Sequence, residues 1–164
     1  MKKLDRNFKT LPKAREPRHR DLILYVEDND DNWHVAQLRL SDCYELVRAA
    51  NAREACQVLA ARGTELSAVL MDIELRGSEL NGLELVELMR GKKLRATAPE
   101  FARDLPALAA PILFVTAHGA KYADERLLAS GADRVISKPV DFSALSLALT
   151  HLHLSSAARH RRSP

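Results

Sequence analysis

Leu22-Ile23-Leu24-Tyr25-Val26-Glu27-Asp28 sets a run of apolar residues against an abrupt acidic stop. The run has the length of a strand and lacks the alternation of a half-exposed one, so it reads as a strand buried on both faces. Asp30 to Leu40 follows as a helix with Trp33, Ala36 and Leu40 on one face. The same pairing recurs down the chain. Tyr44–Ala49 is a strand, and Asn51 is a good N-cap for a helix running to Arg62, with Ala52, Ala55 and Leu59 inward and Gly63 as its stop. Ala68–Met71 is a strand ending at Asp72, and Gly82–Arg90 a helix. Ile112–Val115 is a strand ending at Thr116, and Lys121–Ala129 a helix closed by Ser130-Gly131. Arg134–Ile136 is a short strand ending at Ser137-Lys138-Pro139, and Asp141–Leu152 a last helix with Phe142, Leu145, Leu149 and Leu152 on one face.

Strict β-α alternation with fully apolar strands predicts an α/β fold whose parallel sheet is covered on both sides. Its expected form is a flavodoxin-like (βα)5 sandwich with strand order 2-1-3-4-5. Residues 91–111 break the rhythm, being too long for a simple helix-to-strand connection; Pro99-Glu100-Phe101 is placed to open an extra helical turn.

Charge divides the chain into three parts. Residues 1–20 carry eight Lys/Arg against Asp5 and Glu16, and residues 155–164 carry three Arg and no acid. The whole chain is +3, so residues 21–154 are net −6. The expected organisation is a basic flexible arm over 1–20, one domain over 21–154, and a basic tail over 155–164. An acidic body argues against a nucleic-acid-binding fold, although the tails keep a nucleic-acid-associated role open as an alternative. Cys43 and Cys56 lie in no metal-ligand spacing and fit a reducing compartment. No apolar run follows the Met1-Lys2-Lys3 opening and none is long enough to span a membrane, so a cytoplasmic location is expected. The ten residues after Leu154 are too few for a DNA-binding output domain.

Chemistry concentrates at strand ends. Glu27-Asp28, Asp72, Thr116 and Lys138 close four different strands, and ligands of open parallel sheets bind outside those ends, where the strand order reverses. Singly, each acid would be an ordinary strand-end cap. Together, three carboxylates in one cleft repel, and a hard divalent cation such as Mg2+ relieves the repulsion. Asp72 is then a nucleophile towards phosphorus. The Lys138 ammonium and the Thr116 hydroxyl are suited to the charge on a transferring phosphoryl group. An aspartyl-nucleophile hydrolase is disfavoured, because such enzymes place Asp-x-Asp after the first strand, and here Asp72-Ile73-Glu74 follows the third.

Residues 21–152 resemble the response-regulator receiver family. The resemblance rests on Leu22 to Asn29, Val69-Leu70-Met71-Asp72-Ile73, Val115-Thr116-Ala117, Gly131-Ala132-Asp133 and Ser137-Lys138-Pro139. It implies Mg2+ dependence and phosphotransfer to Asp72 from a sensor histidine kinase or a histidine phosphotransfer protein. By it Asp28 is a direct metal ligand, Glu27 acts mostly through water, Asp72 itself ligates, and the backbone carbonyl of Glu74 completes the protein ligands. Thr116 and Lys138 are the phosphoryl-binding and switch residues. Glu74 and His118 occupy the positions that tune how long the phosphoryl group lasts. A cis Lys138–Pro139 bond is also implied.

Two departures stand out. The Leu75 to Asn81 loop is about two residues longer than usual and lacks the usual proline, and Val135 stands where an aromatic switch residue is usual. The function expected is therefore a stand-alone receiver, not an enzyme in the ordinary sense, that relays phosphorylation to a downstream protein. A receiver-like module that signals without phosphate is the alternative.

Overall fold

The computed structural model describes residues 20–92, 97–117 and 123–160, with side chains to residue 153. Five strands form one parallel sheet: β1 (Asp21–Val26), β2 (Tyr44–Ala49), β3 (Leu66–Met71), β4 (Ile112–Ala117) and β5 (Arg134–Lys138). Their order is β2-β1-β3-β4-β5, the flavodoxin-like arrangement. The helices are α1 (Asp30–Leu40), α2 (Ala52–Arg62), α3 (Gly82–Met89), the single turn α4 (Glu100–Arg103), α5 (Asp124–Ala129) and α6 (Phe142–His160).

Strand alternation sorts the core into two layers. Ile23, Tyr25, Leu70, Leu113 and Val115 pack with Ala36 and Leu40 of α1 and Leu145 and Leu149 of α6. Leu24, Val26, Val69, Met71, Ile112 and Phe114 face the other way, onto α2, α3 and Leu127 of α5. Trp33 and Phe142 are half-buried against the first layer, the core positions their spacing predicts.

The helix starts follow from their caps. Asn29, Asn51 and Asn81 each accept a hydrogen bond from the backbone N–H three residues on, and Asn81 closes a capping box with Glu84. Asp141 Oδ1 accepts from the N–H groups of Ser143 and Ala144 at the head of α6. Some ends differ from the sequence reading. Helix α2 does stop at Arg62, but Gly63 keeps right-handed dihedrals (φ −57°) and opens a 3-10 turn instead of a left-handed cap. The helix expected from Lys121 is described only from Asp124, residues 121 and 122 lying outside the described residues. Helix α6 continues to His160, past the boundary drawn at Leu154. Ser155-Ser156-Ala157-Ala158-Arg159 contains neither Gly nor Pro, so nothing local ends the helix there. The N-terminal arm as far as residue 19 and the end of the tail from residue 161 lie outside the described residues.

The described part of the 91–111 segment, from residue 97, is a built cover. Its Ala98, Ala102, Leu105 and Leu108 are buried in the same layer as α3. Helix α3 is apolar almost all round, with Leu83, Leu85, Val86, Leu88 and Met89 buried, and such a helix needs cover on its outer side as well. Arg90 fastens the segment: its guanidinium donates to the carbonyls of Leu108 and Gly131 and pairs with Asp133 at 2.8 Å. The Arg53 guanidinium of α2 lies 4.4 Å over the Phe101 ring of α4. Of the basic run Lys92-Lys93-Arg95, Lys92 donates to the Ala129 carbonyl, and the other two fall outside the described residues.

Gly82 is where the fold meets the acidic cluster. A Cβ there would sit 1.9 Å from the Asp72 carbonyl oxygen, so α3 docks against the end of β3 only without a side chain. The Gly82→Ala variant is expected to lose about 1–3 kcal/mol of stability, as overpacked sites do. Urea unfolding measures it, and an unchanged midpoint would show that the approach is not tight.

Candidate functional site

The strand order reverses between β1 and β3, and the site sits at that point. The Glu27 N–H donates to the Ala49 carbonyl and the Asp72 N–H to the Val26 carbonyl, both at 2.9 Å. These bonds carry the sheet one residue past its formal end and fix where both acids emerge. Lys138 ends β5, opposite Ala117, and Thr116 lies beside Ser137. The Lys138–Pro139 bond is cis, as the resemblance implies.

Glu27, Asp28 and Asp72 each bring a carboxylate oxygen to within 4.8 Å of the others. Lys138 Nζ bridges two of them, donating to Asp72 Oδ2 at 2.6 Å and to Glu27 Oε2 at 2.7 Å. Burial raises the Asp72 pKa above its ordinary value, and the Glu27 charge adds to this; the hydrogen bond and charge of Lys138 and the Ile73 N–H offset only part. Burial alone would disfavour the Lys138 ammonium, but its bonds to Asp72 and Glu27 outweigh that and raise its pKa. Thr116 is buried, one residue before the β4 position that pairs with Lys138.

Glu27 is more enclosed than the sequence suggests. It is 0% exposed, and both oxygens are fully engaged. Oε1 accepts from the Asn29 N–H and from Asn32 Nδ2, each at 3.1 Å; Oε2 accepts from Tyr25 Oη at 2.9 Å and from Lys138. Burial and the neighbouring Glu27 carboxylate push the Tyr25 hydroxyl pKa up, so Tyr25 stays a donor. Arg48 of β2 clamps the loop, donating to the carbonyls of Glu27 and Asp28 and pairing with Asp30 at 2.7 Å. Asp28 keeps an oxygen near the other two acids and also pairs with Arg76 at 2.7 Å.

Sequence reasoning did not single out Tyr25, Asn32, Arg48 or Arg76. The Tyr25 and Asn32 contacts span two and five residues, whereas Arg48 and Arg76 arrive from 20 and 48 residues away, and no local pattern announces them. Glu74 is exposed on the loop after Asp72, and His118 lies outside the described residues. Val135 is half-buried, paired with Phe114 and packed on the α3 side of the sheet.

The chemistry of the donors suits a hard divalent cation. Asp28 and Asp72 offer carboxylate oxygens at the mouth of the cleft, the donor type that Mg2+ takes alongside water. Among the described residues no sulfur or imidazole joins this cluster.

The sequence profile described as the response regulator receiver domain matches residues 23–150. The chain belongs to the response regulator receiver family. The polar-differentiation response regulator DivK of Brucella anthropi is 31% identical over 119 residues, covering 72% of this chain and 84% of the relative. An NtrX-like response regulator of Rickettsia bellii is 27% identical over 128 residues, covering 77% of this chain but only 23% of the relative's length. The crystal structure of the receiver domain of NtrX from Brucella abortus superposes with a TM-score of 0.63 at 26% identity, covering 80% of this chain and 97% of that one. The family, the strand order and the acidic cluster are thus those the sequence predicts. Among the described residues, no helix is long and apolar enough to cross a membrane.

Glu27 has no exposed surface through which water can compensate it once Lys138 is removed. Lys138→Met is expected to cost about 3 kcal/mol, the usual penalty of orphaning a buried charge. Combined with Glu27→Gln, the loss should be clearly smaller than the two single losses added. Urea unfolding of the four proteins in the cycle measures this. Strict additivity would show that the pair is not coupled.

Proposed function

We propose that Asp72 is the phosphoryl acceptor of this receiver and that a divalent cation, Mg2+ in the cell, is held by Asp28, Asp72 and the backbone carbonyl of Glu74. The observation that supports it best is the Lys138 bridge: a half-buried ammonium already bonded to the Asp72 carboxylate, beside a second carboxylate at the cleft mouth. Such a cation, held by these residues, would supply positive charge to offset that of a transferring phosphoryl group.

The donor is a phosphohistidine on a sensor kinase or a phosphotransfer protein. An Asp72 carboxylate oxygen forms the new O–P bond as the N–P bond to imidazole breaks, and the departing nitrogen keeps the electron pair and takes up a proton. Lys138 Nζ holds one phosphoryl oxygen and the Thr116 hydroxyl another, so charge built up in transfer meets groups already in place. Glu27 is a positioning residue. Its four hydrogen bonds hold it still, and it in turn holds Lys138 over Asp72. Glu74 and His118 tune the lifetime of the acyl phosphate.

The protein turns over no separate substrate; it catalyses only its own phosphorylation and dephosphorylation. It works in the cytoplasm as a receiver that passes the signal to a partner protein. Val135 in place of an aromatic side chain favours a muted response on β5 and its flanking helices. The signal is then carried partly by the long loops beside the cleft.

Incubation with phosphoramidate and Mg2+ should add one phosphoryl group to the intact mass of the wild-type chain. Addition should be abolished in Asp72→Asn, and Asp28→Ala or chelator should slow it by roughly a hundredfold or more. Undiminished labelling in Asp72→Asn would overturn the assignment. Absence of labelling in the wild type would favour a module that signals without phosphate.

A further inference from the structure

Among the described residues, Arg76 is the cation that pairs with the Asp28 carboxylate. Its Nε donates to Asp28 Oδ2 at 2.7 Å, although its own side chain is 76% exposed and that of Asp28 only 12%. The root of the arm is fixed. Leu75 before it is buried, Gly77 after it turns the chain at φ +69°, and Ser78 Oγ is tied to the Leu80 carbonyl and the Ala52 N–H. A firmly rooted, solvated guanidinium thus lies across a nearly buried carboxylate. Lys138 neutralises Glu27 and Asp72 but makes no bond to Asp28, whose carboxylate is met by Arg76.

We propose that Arg76 is a built-in counter-cation that competes with the divalent ion for Asp28 and thereby sets its affinity. The inference rests on the reading of this cluster as a metal site. Arg76 occupies a lone pair of Asp28 Oδ2 and holds a positive charge against that carboxylate, so a metal on Asp28 binds at full strength only where the pair is open. Molecules with the pair closed bind it less, and the apparent affinity falls with the fraction that is closed. Arginine stays charged at every physiological pH, so the competition persists throughout. The pair is solvated on the arginine side, which keeps the effect to roughly two- to fivefold in affinity. The longer loop is therefore a means of weakening metal occupancy, and phosphorylation, at low Mg2+.

The experiment titrates Mg2+ alone into the full chain, followed by fluorescence of Trp33 and, independently, by calorimetry. Trp33 is well placed: its ring is 6.5 Å from that of Tyr25, and Arg48, which holds the Glu27 and Asp28 carbonyls, lies over it. Wild type is compared with Arg76→Gln, Arg76→Lys, Asp28→Ala and Arg53→Gln, the last removing one positive charge that pairs with Glu79 of the same loop. Arg76→Gln should bind Mg2+ about two- to fivefold more tightly, Arg76→Lys should fall nearer the wild type, and Arg53→Gln should match the wild type. The gap between wild type and Arg76→Gln should also narrow as salt rises. Equal or weaker binding by Arg76→Gln overturns the proposal, as does an equal gain in Arg53→Gln, which would mark a general charge effect. Binding that is lost in Asp28→Ala yet unchanged in Arg76→Gln removes the role of Arg76 alone. No Mg2+ binding by the wild type removes the metal reading with it.

Discussion

The Lys138 ammonium, 2.6 Å from Asp72 and 2.7 Å from Glu27, is the contact around which the cleft is organised. Three carboxylates gathered at the ends of β1 and β3 would force one another apart or take up protons. One half-buried cation, delivered from the end of β5 across β4, allows two of them to stay close. The sheet supplies the alignment: parallel strands end on one edge, so residues distant in sequence converge without any long loop. Glu27, with no exposed surface, is tolerated because its four donors replace the water it has lost. The cluster is stable as a whole and costly to dismantle in part.

Much of this was legible before any coordinates. The apolar run Leu22–Val26 gave a doubly covered strand, and the recurring strand-then-acid or strand-then-hydroxyl pattern placed Asp72, Thr116 and Lys138 on one edge. Asn51 was readable as a cap because the signal is local. The extra turn after Pro99 was readable because proline fixes where a helix begins. What was not legible depends on reach across the fold. Nothing in the spacing around Arg48 or Arg76 announces that their guanidinium groups arrive at the 27–28 loop. The depth of Glu27 was hidden for a related reason: a carboxylate at a strand end reads as exposed until Tyr25 and Asn32 are seen to enclose it. The end of α6 was misplaced because clustered charge suggests a tail, while Ala and Arg are also good helix formers.

The two segments that depart from the receiver pattern flank one side of the molecule. The long loop after β3 brings Arg76 to Asp28 and Glu79 to Arg53, and Arg53 in turn lies over Phe101 of the 91–111 cover. A chain of contacts therefore joins the mouth of the acidic cleft to the added segment, through α2. In the same core layer as that cover, Val135 presents a small aliphatic surface where an aromatic ring would offer two discrete positions. A change of charge at Asp72 meets β5 directly through Lys138, and the loop and its cover form a second route that we propose carries part of the signal. Redistribution of this kind needs no large motion, only a shift between the paired and released states of the loop.

The central proposal is chemical: of the two carboxylates that Lys138 holds, that of Asp72 is the one that becomes phosphorylated. It is tested most directly by treating the protein with phosphoramidate and Mg2+, reducing the acyl phosphate with borohydride, and locating the product by peptide mass spectrometry. Reduction turns a phosphorylated aspartate into homoserine, marking the residue itself. Homoserine at position 72, and at no other acidic position, is the predicted result. Homoserine at position 28, or an unmodified Asp72 in protein whose intact mass shows phosphorylation, would contradict it.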